Sequence, residues 1–184
     1  MNKLKNIFRV WFPFAVTITA FCALTYASVQ QSFRQNVNDP QIQMAEDAVD
    51  AIVDGKGVDT IVSTEKVSVA KSLAPFLIVY DREGNAIASS VILDGQTPEL
   101  PAGVLDSTRE LGENRVTWQP RDGVRIAAVI VSYEDGYVLA GRNMREVELR
   151  EAQLTTFAGS TWVLALPATL AVIAFGEYFL SEKK

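Results

Sequence analysis

Two long segments without a charged residue bracket almost everything else in this 184-residue chain. Residues 10–29 (VWFPFAVTITAFCALTYASV) carry no charge, and neither do residues 152–176, between Glu151 and Glu177. A helix needs about 20 apolar residues to cross a hydrocarbon core of about 30 Å, and both segments reach that length. The expected organisation follows directly. Residues 1–9 are an N-terminal end, 10–29 a first transmembrane helix, 30–154 a domain, 155–176 a second transmembrane helix and 177–184 a short tail.

Lys3, Lys5 and Arg9 precede the first segment, and Lys183 and Lys184 follow the second. Positive charge flanking a span favours the cytoplasmic side. Both termini are therefore expected in the cytoplasm and the central domain outside it. Arg142, Arg145 and Arg150, just before the second segment, weigh the other way. The first segment exceeds the 7–15-residue core usual in a cleaved signal peptide and reads as an uncleaved anchor. Cleavage after Ala27 is the alternative. The only cysteine, Cys22, lies inside this segment and reads as a small apolar residue of a membrane helix.

Composition narrows the chemistry. The chain has no histidine, hence no imidazole base, ligand or phospho-acceptor. With one cysteine it forms neither an internal disulfide nor a Cys/His zinc site. It has no Gly-rich phosphate loop and no nucleophile-elbow serine. Enzymatic activity and a bound cofactor are not expected. The central segment carries twelve Lys and Arg against twenty Asp and Glu, a net of −8. Such a surface argues against nucleic acid, which demands basic patches.

Local signals within the central segment give an order of elements. Asn38-Asp39-Pro40 marks a helix start, with Asp39 as cap and Pro40 in the first turn. Ile42, Ala45, Val49 and Ile52 then recur at helical spacing up to Gly55. The acidic residues opposite them, Glu46, Asp47, Asp50 and Asp54, read as a solvated face. The stretch from Gly55 to Ser72 has no clear signature. Phe76–Tyr80 reads as a strand, Asp81–Asn85 as a turn and Ala86–Ser90 as the returning strand. A short helix is expected over Ala102–Leu111, with Val104, Leu105, Thr108 and Leu111 on one face. Strands are expected at Arg115–Gln119, Val124–Tyr133 and Tyr137–Gly141, joined by turns at Pro120–Gly123 and Glu134–Gly136. Asn143 then caps a helix with Glu146 as its partner, supported by Glu146/Arg150 and Arg145/Glu148 pairs. Nothing interrupts that helix before the second apolar segment. Helix, two strands, helix, three strands and helix make an α+β domain with a five-stranded antiparallel sheet.

The stretch Leu77-Ile78-Val79-Tyr80-Asp81-Arg82-Glu83-Gly84-Asn85-Ala86-Ile87-Ala88-Ser89-Ser90 is similar to the hairpin of the extracytoplasmic, PAS-like Cache domains. Gly123–Met144 is similar to the last Cache hairpin running into its exit helix. With the preceding helix, the resemblance covers most of residues 38–150. It implies a bacterial sensor that binds a small molecule outside the cell and signals through its flanking helices. A kinase, cyclase or chemotaxis module would normally follow the second span. Here the output is expected from a separate partner, a membrane protein or a second copy of the chain. The resemblance also implies a pocket between one sheet face and its cover. Polar residues on or beside the strands are its candidates: Tyr80, Ser89, Trp118, Arg125, Tyr133 and Arg142. Aromatic rings with one or two cations suit a small anionic or amino-acid ligand. Each of these residues also has a structural reading, as ring packing or an exposed decoration of the sheet. The rival function is an accessory membrane subunit that uses the domain as a protein-interaction surface and binds no small ligand.

Overall fold

The computed structural model describes residues 3–36 and 39–180. It divides into two compact units. Residues up to Phe33 together with those from Leu149 onward form one, and Arg34–Glu148 form the other.

The first unit is helical. α1 spans Lys3–Asn36 and contains Pro13. The last helix, α5, spans Arg145–Phe175, contains Pro167, and continues into a π-helical turn over Gly176–Leu180. Both helices are long and apolar enough to cross a membrane. Their large side chains, such as Phe12, Phe21, Leu164 and Val172, point outward, as a lipid-facing surface requires. Between the helices runs a series of side-chain hydrogen bonds. The Tyr26 and Thr155 hydroxyls lie 3.2 Å apart, Trp162 Nε1 donates to Thr19 Oγ1, and Trp11 Nε1 donates to Leu166 O and Thr169 Oγ1. Asn6 Nδ2 donates to Glu177 Oε2. Thr155, Trp162 and Thr169 are seven residues apart, and so are Thr19 and Tyr26. A seven-residue spacing keeps side chains on one face of a helix, so these groups form a seam.

The second unit is the expected α+β domain, with a five-stranded antiparallel sheet. Its order is α2 (Asp39–Val53), α3 (Val58–Ile61), β1 (Val67–Ser68), β2 (Phe76–Asp81), β3 (Ala86–Ser89), β4 (Val91–Ile92), α4 (Val104–Leu111), β5 (Glu113–Arg121), β6 (Val124–Tyr133) and β7 (Gly136–Asn143). The main sheet runs β3-β2-β7-β6-β5, and β1 pairs in parallel with β4 as a separate two-stranded piece. The segment without a clear sequence signature thus holds α3 and β1. Two-residue strands are too short to leave a periodic pattern.

Because side chains alternate along a strand, the sheet has two apolar faces. Phe76, Ile78 and Tyr80 of β2 join Ile126, Ala128 and Ile130 of β6 and Tyr137 and Leu139 of β7 on one face. Val69, Val91, Leu100, Val104 and Leu105 cover that face. Leu77, Val79, Val138 and Ala140 occupy the other, beneath α2 and α3. There Ala45 and Ala48 put no bulk between α2 and the strands, so the helix seats closely.

Several local expectations shift. α2 buries Gln41, Ala45 and Ala48, whereas Ile42 is only half-buried. Ala45 keeps its expected place, Val49 and Ile52 pack half-buried against the same core, and Gln41 and Ala48 widen the buried stripe on one side. In α4, Thr108 is fully buried, its hydroxyl donating to Val104 O, while Leu111 is 69 % exposed. Gly112 ends this helix at positive φ. β5 extends through Pro120, and the turn to β6 shrinks accordingly. Proline is tolerated there because β5 is an edge strand and the ladder is already irregular between Trp118 and Arg121. Asn143 Oδ1 accepts from Arg145 N, as a cap should, and its amide also reaches Val69 O. Glu148 pairs with Arg125 at 3.5 Å rather than with Arg145. Asn38, Lys183 and Lys184 lie outside the described residues.

Candidate functional site

The covered sheet face is filled by apolar side chains over most of its area. It opens at one end into a cavity of about 460 Å³ between β2, β7, the loop 97–103 and α4. Its floor is a pair of tyrosines. Tyr80 and Tyr137 are direct register partners across β2 and β7, and both are almost fully buried, 5 % and 3 % exposed. The β2–β3 ladder slips between Val79 and Tyr80, so Tyr80 sits at a bulge. Bulges re-aim side chains and are common beside functional sites.

The hairpin turn supplies a second wall. Asp81 carboxylate oxygens accept from Asn85 N at 2.7 Å and from Asn85 Nδ2 at 2.9 Å. Those hydrogen bonds, the side-chain one foremost, hold the Asp81 carboxyl below its ordinary value. Gly84 completes the turn with φ 87, and a Cβ there would come within 3.0 Å of Leu105 Cδ1. The turn therefore packs directly on α4. Gly136 is more tightly constrained, since a Cβ would fall 2.0 Å from the Tyr80 carbonyl oxygen.

The rim carries charge. Glu83 comes from the turn, Glu99 from the loop, and Asp106 and Arg109 from α4. Arg109 is already engaged. Its guanidinium lies 5.8 Å from the Tyr137 ring centroid, donates to Arg82 O at 3.1 Å and stands 3.5 Å from Asp106. The Tyr80 hydroxyl is buried and has no hydrogen-bond partner. Burial pushes its pKa up, so it remains a protonated donor with free lone pairs. A buried hydroxyl without a partner costs about 1–3 kcal/mol and requires an explanation.

The six residues anticipated from sequence are dispersed. Tyr80 lies on the cavity floor. Trp118 packs against the covered face, and its Nε1 donates to Glu99 O, which tethers the loop that forms the cavity wall. Tyr133 lines a neighbouring depression with Arg82 and Ser132, and this depression shares Arg109 and Tyr137 with the main cavity. Its phenol is pushed up by burial and by the nearby charges of Asp135 and Asp81. Ser89 makes a local turn, its hydroxyl donating to Val91 O and accepting from Val91 N. Arg125 is exposed and faces Glu148. Arg142 is half-buried, with its Nε unpartnered, and does not line the cavity. Tyr137, Arg109, Glu83, Glu99 and Asp106 were not singled out in sequence. Pairing of Tyr137 with Tyr80 depends on strand register, and the rim charges resemble any solvated residues until the loop and α4 bring them together.

Among the described residues no cluster of three or more acidic or Cys side chains is arranged to hold a metal ion. No protein-family model matches this chain, and no curated protein shows a significant match.

Proposed function

We propose that this chain is a membrane-anchored, extracytoplasmic binding module that takes a small molecule into the cavity above Tyr80 and Tyr137. The observation that carries the reading is Tyr80, which lines an open cavity with a polar rim while its hydroxyl stays buried without a partner. A bound molecule would supply the missing hydrogen bond and recover the free energy spent on burying it. The similarity of the hairpin and of the order of elements to Cache domains supports a sensory role, with output delivered through a partner. The basic N-terminus supports cytoplasmic ends and an external domain.

A second reading is favoured by the packing of the same face. Phe76, Ile78, Ile126, Ile130 and Leu139 fill most of the area that a deep ligand pocket would occupy. An accessory subunit that uses the domain as an interaction surface needs only such a filled core.

Thermal unfolding of the full chain in lipid nanodiscs separates the two readings. The screen covers amino acids, organic acids and amines. A ligand present at 100 times its dissociation constant adds about 2.7 kcal/mol and raises the melting temperature measurably. The binding reading expects a shift that Tyr80→Phe weakens. A screen that moves nothing leaves the accessory-subunit reading. Protease treatment of intact cells tests the orientation. Loss of the domain with survival of an N-terminal tag is expected, and cleavage of that tag from outside reverses the topology.

A further inference from the structure

The cavity rim has a charge asymmetry that specifies its ligand. Three carboxylates, Glu83, Glu99 and Asp106, face one guanidinium, Arg109. Neither Glu83 nor Glu99 takes part in an ion pair among the described residues. Arg109 is spoken for by Asp106, by the Arg82 carbonyl and by the Tyr137 ring. The free charge around the cavity is therefore negative. The two arginines expected to attract an anion, Arg125 and Arg142, are not among the lining residues.

Resting on the binding-module reading, we infer that the ligand is a small organic cation, an ammonium group carried on an apolar body. The Glu83 and Glu99 carboxylates attract the ammonium. The Tyr80 hydroxyl is buried and unpartnered, and a small turn of its ring brings its lone pairs to the ammonium, which donates to them. Ala86, Pro98, Leu100, Pro101 and Leu105 offer apolar contact to the body. Arg109 over the Tyr137 ring already displays the kind of cation–aromatic contact that this floor favours. A metal ion is a poorer fit, because ions such as Ca²⁺ demand six to eight oxygens converging at 2.3–2.6 Å, whereas these carboxylates are not gathered into a metal-binding group. Spread around a cavity of about 460 Å³, they suit a charge attached to a molecule that fills the space.

The test uses the full chain in nanodiscs of zwitterionic lipid and four probes. Benzylammonium, benzoate and benzyl alcohol share one ring and differ in the charge of the head group, and calcium chloride is the fourth. Benzylammonium is expected to raise the melting temperature in a saturable titration that benzoate and benzyl alcohol do not reproduce. Glu83→Gln and Glu99→Gln are each expected to weaken that titration by about threefold, the middle of what a partly exposed charge pair contributes. Arg109→Gln supplies a test of sign. It removes a cation from the rim, so benzylammonium should bind as well or better, provided the unliganded variant unfolds at its usual temperature. Where it does not, the two Glu variants decide.

A shift with benzoate alone overturns the cation assignment and leaves a ligand-binding module in place. A calcium shift lost in Glu83→Gln overturns it in favour of a metal. No shift with any of the four probes overturns it as well, and the wider screen described above then decides separately whether the cavity binds anything.

Discussion

Trp162 Nε1 donates to Thr19 Oγ1 at 2.9 Å, joining two residues 143 positions apart in sequence. The Thr19 hydroxyl in turn donates to Ala15 O at 2.8 Å. Each hydroxyl of this kind is used twice, once within its own helix and once across the seam. Thr169 behaves the same way, donating to Ala165 O and accepting from Trp11. The seam between α1 and α5 is therefore a set of directional bonds.

A double-mutant cycle should measure that seam. Trp162→Phe and Thr19→Val, singly and together, are expected to show a coupling of about 0.6 kcal/mol, the average for hydrogen bonds between membrane helices. Reversible unfolding in mixed micelles provides the measurement. Strict additivity would mean that the bond is not formed in the membrane.

Tyr80→Phe should stabilise the unliganded domain by about 1 kcal/mol, because it removes a buried hydroxyl that has no partner. The same variant should also change the alkaline limb. The folded state holds the Tyr80 proton more tightly than the unfolded chain does, and an unfolded tyrosine titrates near 10. This contribution is present in full below pH of about 10 and is lost as pH rises beyond it. Denaturant titrations across that range should fall less steeply for Tyr80→Phe than for the parent chain.

Asp81 acts at the opposite end of the pH scale. Its carboxyl is held below the ordinary value of 3.8 by Asn85. The stabilisation is present above that value and disappears as pH falls through the lower, folded-state value. Protection factors of the β2–β3 amides, taken relative to the intrinsic exchange rate at each pH, should fall on acidification, and Asp81→Ala should already be less protected at neutral pH. Unchanged protection in the variant would show that the turn holds without its side-chain bonds.

Gly84→Val should destabilise the domain by about 1–3 kcal/mol, since φ of 87 is strained for a branched residue and the Leu105 side chain must give way to a Cβ at 3.0 Å. Gly136→Ala should be worse, because the obstacle is the Tyr80 backbone rather than a flexible side chain. Near-UV circular dichroism and melting temperature report both. A neutral Gly84→Val would mean that the turn is built differently.

Strand and helix order was legible in the sequence because each element carries its own local signal. Val124–Tyr133 is rich in β-formers between two glycine turns, and it is found with those bounds. Charge-free runs announced α1 and α5. β1 and β4 were not legible, because a two-residue parallel pair is fixed by tertiary contact and not by local pattern. The site was the least legible part. Tyr80 is marked in the sequence by its place on a strand, but its register partner Tyr137 lies 57 residues away. Arg125 and Arg142 are cations on strands. One meets Glu148, and the other lies outside the lining of the cavity. Neighbouring residues of a strand face opposite ways, so proximity in sequence separated what alternation of side chains had to join.

The same alternation makes the sheet a wall one residue thick. Tyr80 forms the cavity floor, and Val79, its immediate neighbour, is part of the apolar bed on which α2 rests. No intermediate layer exists to absorb a displacement. A ligand that only fills space between rim side chains would leave α2 where it is. One that draws the Tyr80 hydroxyl toward itself pulls on the backbone beside the bulge, and the strain emerges under Ala45 and Ala48 on the far side. Filling the cavity and loading β2 are thus separable events, and under the binding-module proposal only a ligand that pulls on Tyr80 would strain the α2 side of the sheet.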